Sequence, residues 1–555
     1  MTAAGPRVAE LTGPPLSSVD GLGALTLGGF LEQVCGRHDG LEALVLDDSL
    51  REGSTVRWTY DELLAQSRAV ARSLLASGVG KGTRVGILMG NRPEAVAALF
   101  GVALCGGVAV LLSTFATRPE LAHLLRHSDC ALLLTQTELG AQRFGDGVRH
   151  LCPGAVAAVL TRDAGYPYLQ RVVAVGDPGW ASFLAEGEQV PEELVDEAAA
   201  EVASSDLGLV LYSSGTTERP KGILHHHQAP TLQFWLQAEI FGRDEQTRMW
   251  AARPVFWTAG LNTAMGATLA AGGCWVMQEL FEAGATLALM ARDRVTEPYT
   301  LPHQAKALEE HPDWAAADLS ATSQVFGKSV FPRQATVQGD PGWTMPMGYG
   351  MYETCAFFAA HPSDTPRELL KQSFGRLLPG NVLRVVEPGG GRLLGPLETG
   401  ELAVRGPTLM EHYVKRSRSE CFDDNGFFRT GDVGFFDEQG YVHWVGRRTE
   451  MIKTGGANVS PAEIGVALRV CAPVKLARVV GVPDARLGKL VVLCAVLKGG
   501  AHASAAEVQD FLRQRLAPYK VPKRVLFFEP GEMPMTSSGA KVRDDALLEL
   551  VQARL

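Results

Sequence analysis

The chain has 555 residues, of which 46% are hydrophobic and 20% charged. These are ordinary globular values, so disordered, collagen and coiled-coil classes are excluded, and about 100–200 residues per domain predicts three to four structural units. A net charge of −9 offers no broad basic face, and we expect no nucleic-acid or membrane partner. No apolar run reaches the roughly 18 residues of a membrane span, and no signal peptide is visible. The nine cysteines never fall as C-x-x-C, so the sequence predicts a cytoplasmic protein without a disulfide framework.

Apolar strands and helical stretches alternate in the first part of the chain. The strand-like runs are VGILMGN (85–91), VAVLLS (108–113) and CALLLT (130–135), and the helical ones are PEAVAALFGVAL (93–104) and RPELAHLLRH (118–127). Continuous apolar strands between helices are typical of parallel strands covered on both faces. The same rhythm returns around 207–213 and 273–300. From about 375, short strands with Gly/Pro turns predict β-rich packing, and an α+β segment follows after about 449. The predicted fold class is therefore α/β.

The strongest chemical signal is LVLYSSGTTERPKG at 209–222, in which an apolar strand runs into a loop rich in glycine and hydroxyls. The loop ends in Pro220, Lys221 and Gly222. It offers backbone N–H groups, hydroxyl donors and one cation, which a polyphosphate requires. It is not a Walker loop, because the spacing from Gly215 to Lys221 differs and no Ser or Thr follows the lysine. An apolar, strand-like GIL follows instead of a helix.

This loop resembles the phosphate-binding signature of the ANL superfamily of adenylate-forming enzymes: acyl-CoA synthetases, peptide-synthetase adenylation domains and luciferases. Further matching stretches follow in the same order: GYGMYET (348–354), SFGRLLPG (373–380), GELAVRGP (400–407), RTGD (429–432), GRRTEMIKTGGANVSPAEI (446–464) and YKVPK…MPMTSSGAKVR (519–543). The resemblance covers essentially the whole chain from TYDELL (59–64) onwards. The acyl-CoA synthetase/ligase branch is the favoured placement.

The resemblance implies a two-domain organisation. A large N-terminal domain of mixed sheets with helices would span 1–449 and include a β-rich subdomain at about 375–449. A small, mobile α+β C-terminal domain would span 450–555 and rotate about a hinge near Glu450.

The resemblance also implies roles for individual residues. Tyr349 resembles the aromatic residue that stacks on adenine, and Glu353 the carboxylate that holds Mg²⁺. Asp432 resembles the acid that accepts hydrogen bonds from both ribose hydroxyls, a task suited to a two-oxygen acceptor. Arg447 resembles the arginine beside it on the ribose and phosphate side. The other implied nucleotide-site positions are Ser213, Ser214, Gly215, Thr216, Thr217, Lys221, Gly327, Gly348, Gly350, Tyr352 and Lys453.

Further implied roles concern the acid, the thiol and the catalytic lysine. Trp257 and Gly260 stand at positions of the acyl pocket. Gly455 and Gly456 resemble the glycines of the loop that closes over the pantetheine arm of coenzyme A. Lys541 lies where the family has the lysine that serves adenylation.

In this family, two half-reactions share one site. A carboxylic acid and MgATP give an acyl-adenylate and pyrophosphate, and a thiol then displaces AMP after the small domain has rotated. The implied cofactors are ATP or AMP, coenzyme A and Mg²⁺. Homodimers are common among relatives, and the sequence leaves the assembly open.

Three positions depart from the family pattern, and all three belong to the half-reaction that makes the adenylate. Glu218 replaces the last Gly of G-T-T-G and Tyr352 replaces the usual Thr before Glu353, while Ser538-Gly539-Ala540-Lys541 replaces Ser-Gly-Lys. A carboxylate about 4 Å from a phosphate charge repels it by roughly 1 kcal/mol in water and roughly 4 at an effective dielectric of 20. Either Ala540 replaces the lysine, or one residue is inserted before Lys541 and moves its side chain by about 3.5 Å along an extended chain. The alternative is a loop that bulges at Ala540 and restores Lys541.

We therefore hypothesise that adenylation is weakened or lost while thioester formation survives. The adenylate would then come from a separate adenylating enzyme, as would suit natural-product biosynthesis. The alternatives are a complete two-step acyl-CoA synthetase, transfer to a carrier-protein thiol, and a non-catalytic acyl-nucleotide sensor. The third is disfavoured because the ribose and Mg²⁺ positions match the family.

Two features suggest other chemistry. His225, His226 and His227 form a triplet, but consecutive strand residues point to opposite faces, so we do not expect them to converge on one metal ion. Cys355 and Cys471 are expected to be small packing groups rather than nucleophiles, because the thiol comes from the acceptor.

Overall fold

A computed structural model of the chain describes residues 10–51, 53–144, 148, 165–213, 220–327, 329–371, 373–388, 390–448, 451–454, 457–484, 486–516, 520–535 and 542–555. Within these ranges the protein is a mixed α/β fold built on several sheets, as predicted. None of the helices in these ranges is both long and apolar enough to cross a bilayer.

The strands are, in chain order, β1 (Glu10–Thr12), β2 (Glu42–Asp47), β3 (Thr55–Thr59), β4 (Arg84–Leu88), β5 (Val108–Leu111), β6 (Leu132–Gln136), β7 (Glu138–Leu139), β8 (Gln142–Arg143), β9 (Arg171–Val175), β10 (Leu207–Ser213), β11 (Lys221–His226), β12 (Arg248–Ala251), β13 (Cys274–Met277), β14 (Glu297–Pro298), β15 (Met347–Met351), β16 (Ala356–His361), β17 (Arg376–Leu377), β18 (Val382–Val386), β19 (Leu393–Leu394), β20 (Gly400–Arg405), β21 (His412–Tyr413), β22 (Phe428–Phe436), β23 (Val442–Arg447), β24 (Ile452–Thr454), β25 (Ala457–Val459), β26 (Val474–Asp484), β27 (Gly488–Leu497) and β28 (Arg524–Phe527).

The α-helices are α1 (Leu27–Arg37), α2 (Tyr60–Ala76), α3 (Pro93–Leu104), α4 (Arg118–Ser128), α5 (Pro178–Gly187), α6 (Glu192–Ala200), α7 (Gln228–Phe241), α8 (Ala267–Ala270), α9 (Ala283–Arg292), α10 (Pro302–Glu309), α11 (Arg367–Leu370), α12 (Pro461–Leu468), α13 (Ala505–Arg513) and α14 (Asp544–Arg554). A π-helix spans Ala259–Gly266 and a 3-10 turn spans Tyr352–Thr354. Local sequence sets several helix starts: Thr59 and Glu62 form a capping box at α2, and Pro93 occupies the first position of α3.

A seven-stranded sheet carries the predicted strand–helix rhythm. Its order is β21-β11-β10-β5-β4-β6-β9, and the strands from β10 to β9 run parallel. Side chains alternate between two buried faces, with Ile87 and Leu111 on one and Val110 and Leu133 on the other. The prediction of parallel strands covered on both faces is thus confirmed. The edge differs in direction, because β11 and β21 are antiparallel to their neighbours.

Helix α3 lies in the core that two sheets share. All of its residues except Glu94 are buried, as expected for a helix that is apolar all round. The same hydrophobic cluster contains side chains of the seven-stranded sheet and of the second sheet, order β14-β12-β13-β2-β3, for example Leu209 and Trp275. This shared core fixes the sheet ends that carry the candidate site.

The later part of the chain contains the predicted β-rich region, followed by the predicted α+β region. Strands β1, β18, β20, β22 and β23 form one sheet, and β15, β16 and β17 form another. Residues from Ile452 onwards build a separate sheet from β24 to β28, with its own hydrophobic clusters. The predicted hinge residue Glu450 lies outside the described residues, so the hinge stays a prediction.

Candidate active site

The predicted phosphate loop joins two antiparallel strands. Ser213 ends β10, Lys221 begins β11, and the two are cross-strand partners, so the loop leaves and re-enters the sheet at neighbouring positions. The loop residues Ser214, Gly215, Thr216 and Thr217, and the substitution Glu218, lie outside the described residues. Their predicted contacts with phosphate stay predictions.

The G-Y-G segment forms β15, and its glycines are explained by close backbone contact with β16. A Cβ on Gly350 would lie 1.7 Å from the Ala356 carbonyl oxygen, and one on Gly348 would lie 2.8 Å from the Ala359 carbonyl oxygen. Real Cβ atoms do not approach so closely, so only glycine permits this pairing. The side chain between them, Tyr349, is 5% exposed and packs in the core of the β-rich region.

Tyr349, Asp432 and Arg447 meet in one arrangement, which we call the ribose triad after the role predicted for Asp432. The Tyr349 hydroxyl donates to Asp432 Oδ2 at 2.9 Å, and Arg447 Nε lies 2.9 Å from Asp432 Oδ1. Asp432 and Arg447 face each other across β22 and β23, so strand register sets the second contact. The three residues thus lie in contact with one another, and their roles with a nucleotide stay predictions.

The electrostatics of the ribose triad centre on a buried carboxylate. Asp432 is 3% exposed, while the Arg447 side chain is 49% exposed and lies over it. Burial raises the pKa of Asp432 above its ordinary value, and Arg447 and Tyr349 oppose that shift. Burial, with the Asp432 carboxylate next, raises the pKa of Tyr349, so the phenol stays protonated and donates.

Glu353 lies in the 3-10 turn directly after β15. Its carboxylate Oε1 accepts a hydrogen bond of 2.7 Å from the hydroxyl of Tyr413 on β21. The Lys221 ammonium lies 5.9 Å from the centre of the Tyr413 ring. Tyr413 thus connects the lysine at the end of the phosphate loop with the carboxylate predicted to hold Mg²⁺.

Every carbonyl group from residue 352 to residue 355 accepts a hydrogen bond from another part of the chain, and we call this segment the Glu353 turn. The donors are His225 Nε2 to Tyr352 O at 2.8 Å, Met410 N to Glu353 O at 2.7 Å, Gln233 Nε2 to Thr354 O at 3.3 Å, and Asn262 Nδ2 to Cys355 O. Cys355 adopts the left-handed region with φ 59°, which is unfavourable for a non-glycine residue. The four donors hold the turn in this conformation.

The histidine triplet diverges, as predicted for consecutive residues. His225 contacts the Tyr352 carbonyl group, His226 Nε2 lies 3.0 Å from Glu411 Oε2, and His227 Nδ1 accepts from the Leu27 amide at 3.3 Å. Burial lowers the pKa of His225 and of His227 to about 4. Both are therefore neutral structural groups near pH 7.

The cysteines considered above are buried as well. Cys355 lies in the main core and Cys471 in the core of the C-terminal sheet. Burial raises the pKa of both thiols, which opposes thiolate formation.

The predicted acyl-pocket residues lie at the start of the π-helix Ala259–Gly266. A Cβ on Gly260 would lie 1.9 Å from the Pro254 carbonyl oxygen, so this position requires glycine. The half-buried Trp257 ring contacts Phe115 and Phe256, with centroid separations of 5.8 and 6.2 Å. Asn262 on the same helix reaches the Glu353 turn. Helices of this type often occur at functional sites, and this one connects the aromatic group around Trp257 with the Glu353 turn.

The remaining predicted residues are less well placed. Gly327 is exposed beside the Arg367 guanidinium, and Lys453 lies on β24 opposite Asn458. Tyr352 packs against two hydrophobic clusters, and burial raises the pKa of its hydroxyl. Gly455, Gly456 and Lys541 lie outside the described residues, as does Ala540.

The side chains present fit a bound nucleotide. They also fit a magnesium ion that is held largely by the phosphates of that nucleotide. Asp432 is a buried carboxylate whose Oδ1 lies 2.9 Å from the half-exposed Arg447 guanidinium, so it fits a ribose hydroxyl that takes the place of this contact. The described residues hold no group of three or more metal-ligating side chains. Glu353 is one carboxylate, which suits Mg²⁺ because that ion is commonly held by one or two carboxylates together with substrate phosphates.

Sequence reasoning missed the residues that support the Glu353 turn. His225 was considered only as a metal ligand, and Tyr413, Met410, Gln233 and Asn262 were not singled out. They lie in separate elements and belong to none of the motifs, so only the folded chain brings them together.

Comparison with known proteins places the chain in a family. The profile of the AMP-binding enzyme family matches residues 31–414, and that of the AMP-binding enzyme C-terminal domain matches residues 463–540. The chain is 32% identical over 506 residues to indoleacetate–CoA ligase of Aromatoleum aromaticum, covering 89% of this chain and 93% of that protein.

Two solved structures share the fold. ATP-bound MatB from Rhodopseudomonas palustris has a TM-score of 0.77 at 26% identity, covering 95% of this chain and 99% of that one. The anthranilate CoA ligase AuaEII with anthranoyl-AMP has a TM-score of 0.77 at 25% identity, covering 97% and 99%. The chain belongs to the AMP-binding enzyme family, that is, to the ANL superfamily in its acyl-CoA ligase branch.

Proposed function

We propose that the protein forms an acyl-CoA thioester from an acyl-adenylate and releases AMP. The observation that carries this proposal is the ribose triad, in which Asp432 is held by Tyr349 and Arg447 at 2.9 Å each. A buried carboxylate offers two acceptor oxygens, which suits the two hydroxyls of a ribose.

Different residues would contact different parts of the adenylate. Asp432 accepts the ribose hydroxyls, and the Arg447 guanidinium turns from Asp432 towards the negatively charged phosphate side. Glu353 would hold the magnesium ion that accompanies ATP. MgATP, when bound, supplies the AMP group that activates the carboxylic acid.

The second half-reaction needs the small domain. We propose that residues 1–449 and 450–555 are the two domains, that Glu450 is the hinge, and that Gly455 and Gly456 make room for the pantetheine arm of coenzyme A. Lys541 would serve the first half-reaction and leave the site before the thiol attacks.

We further propose that adenylation is the weaker half-reaction. Glu218 places a carboxylate in the phosphate loop, and Ala540 displaces or replaces the catalytic lysine. Tyr352 adds a ring where the family has Thr. That ring packs against two hydrophobic clusters immediately before Glu353, so its bulk is fixed beside the site. A separate enzyme that adenylates the same acid would then supply the adenylate.

The acid is proposed to be aromatic. Trp257 lies in edge-to-face contact with Phe115 and Phe256, an aromatic group that can extend its packing to a further ring. Both indoleacetate–CoA ligase and the anthranilate CoA ligase are named for acids that carry a ring.

The experiment that tests the function supplies MgATP, coenzyme A and a panel of aryl and alkyl acids, and detects acyl-CoA by mass spectrometry. Native protein is compared with a variant carrying Glu218→Gly and a deletion of Ala540. We expect little acyl-CoA from native protein, more from the variant, and aryl acids ahead of alkyl acids.

Two other outcomes would redirect the proposal. Efficient acyl-CoA formation by native protein would make it a complete two-step synthetase. Transfer to a phosphopantetheinylated carrier protein in preference to coenzyme A would make it a carrier-protein ligase.

A further inference from the structure

We propose that Tyr413 is a positioning residue that fixes one oxygen of the Glu353 carboxylate and leaves the other for the magnesium ion of a bound nucleotide. This inference rests on the proposed function, because it assumes the metal role of Glu353. The observation that carries it is the hydrogen bond of 2.7 Å from the Tyr413 hydroxyl to Glu353 Oε1. Among the described residues, no hydrogen bond reaches Glu353 Oε2.

The position of Tyr413 is set by the sheet rather than by a flexible loop. Strand β21 pairs with β11, and Tyr413 lies opposite Ile223 in that pairing. The Tyr413 ring also packs edge-to-face on Phe428, with a centroid separation of 6.4 Å. The hydroxyl therefore approaches Glu353 from a rigid element, as precise positioning requires.

The backbone of the same residue is held from the same direction. The Met410 amide donates to the Glu353 carbonyl oxygen at 2.7 Å, three residues before Tyr413. One short segment thus fixes both the main chain and the side chain of Glu353. Without the Tyr413 hydroxyl, the main chain would stay in place while the carboxylate would regain its torsional freedom.

The bond also has a clear donor. A tyrosine hydroxyl is a hydrogen-bond donor at neutral pH, and at 2.7 Å it donates to Glu353 Oε1. The carboxylate can only accept, so its orientation follows that of the phenol. Partners of this kind, one bond away from a metal, typically change metal affinity by about 10- to 100-fold when they are removed.

The test is a titration of Mn²⁺ in the presence of ATP, followed by electron paramagnetic resonance, on full-length protein. Tyr413→Phe removes the hydroxyl and keeps the ring, and thermal unfolding of this variant verifies that it folds. We expect Tyr413→Phe to weaken Mn²⁺–ATP binding by about tenfold, and higher Mn²⁺ to restore it.

Two further variants separate the explanations. Tyr441→Phe removes a hydroxyl from a ring that packs on His361 and Arg376, away from Glu353, and we expect no change. Glu353→Gln removes the proposed ligand itself, and we expect a loss at least as large as that of Tyr413→Phe.

Unchanged binding in Tyr413→Phe together with a loss in Glu353→Gln would overturn the role of Tyr413 and leave the proposed function standing. Unchanged binding in Glu353→Gln, or no binding of Mn²⁺–ATP by native protein, would overturn the metal role of Glu353 and the inference with it.

Discussion

The ribose triad and the Glu353 turn meet at β15, which carries Tyr349 and runs directly into the turn, and they are stabilised in opposite ways. In the ribose triad, three predicted ligand residues bind one another, so Asp432 is held by groups that would also face the nucleotide. In the Glu353 turn, the holding groups are His225, Met410 and Tyr413, which have no predicted role with the ligand.

The two regions are therefore prepared for ligand binding in different ways. The ribose triad must exchange internal contacts for ligand contacts, and its partly exposed arginine is free to move. The Glu353 turn is held by the scaffold and changes little. We therefore expect substitutions in the triad to alter binding with little change in stability, and substitutions around the turn to alter stability as well.

The largest expected effect is a loss of folding stability at acid pH, caused by protonation of the histidine that follows β11. His227, the residue directly after β11, has a pKa of about 4, and its Nδ1 accepts a hydrogen bond that protonation would break. The neutral side chain makes its whole contribution to folding stability above the unfolded-state pKa of about 6.5. That contribution is lost as pH falls towards 4, which lowers the free energy of unfolding by about 3 kcal/mol. Urea unfolding of native protein and His227→Gln from pH 7.5 to 4.5 measures it.

Gln keeps an acceptor for the Leu27 amide but does not titrate, so we expect His227→Gln to show a shallower acid slope. His226→Gln, which changes the neighbouring histidine and leaves the Leu27 contact intact, is the matched control. Equal slopes for native protein and His227→Gln would contradict the assignment.

Asp432→Asn is the next largest change and tests the triad. We expect affinity for a non-hydrolysable acyl-adenylate analogue to fall by about 10- to 100-fold, because hydrogen bonds to a charged acceptor are lost. Calorimetric titration measures the affinity. An unchanged affinity would exclude Asp432 from the ribose contact.

The stability change caused by Asp432→Asn should depend on pH in the opposite direction to the histidine effect. The folded pKa of Asp432 is raised above 3.8, so its stabilising contribution is present below that value and is lost as pH rises through the folded pKa. Asp432→Asn should therefore gain stability relative to native protein as pH increases from about 4, opposite in sign to the histidine effect.

His225→Leu comes third and tests the scaffold around the turn. It leaves the buried Tyr352 carbonyl group with one donor fewer, which costs about 1–2 kcal/mol of unfolding free energy. Chemical denaturation measures it, with His226→Leu as control. A stability loss no larger than that of the control would show that the turn does not depend on this donor.

The smallest expected effect is that of Arg447→Gln. The guanidinium is 49% exposed, and exposed ion pairs contribute about 0–1 kcal/mol, so we expect Tm to be nearly unchanged. The adenylate analogue should still bind several-fold more weakly. A large drop in Tm would mean that Arg447 is structural, and the contrast between the two regions would fail.

The sequence predicted the fold class, and it singled out the three residues that meet in the ribose triad, whose roles stay predictions. Strand–helix alternation produced the parallel sheet, because periodic burial is a local property. The triad followed from G-Y-G and R-T-G-D motifs that resemble a family. Strand ends were less exact: CALLLT (130–135) was predicted, whereas β6 runs from Leu132 to Gln136.

The supports of the Glu353 turn could not be predicted in this way. Tyr413 is 60 residues from Glu353 and Asn262 is 93 residues from Cys355, and no periodicity relates them. The antiparallel edge formed by β11 and β21 is what brings Tyr413 to the turn. Such contacts depend on the register of distant strands, which a single sequence does not reveal.

The most direct test of the central claim compares the two half-reactions in one preparation of native protein. Thioester formation is measured from a preformed aryl-adenylate and coenzyme A, and adenylation is measured as ATP–pyrophosphate exchange with the same acid. We predict that thioester formation is faster by about 100-fold or more, the scale expected for a displaced catalytic group. Exchange as fast as thioester formation would contradict the proposal that adenylation is the weaker step.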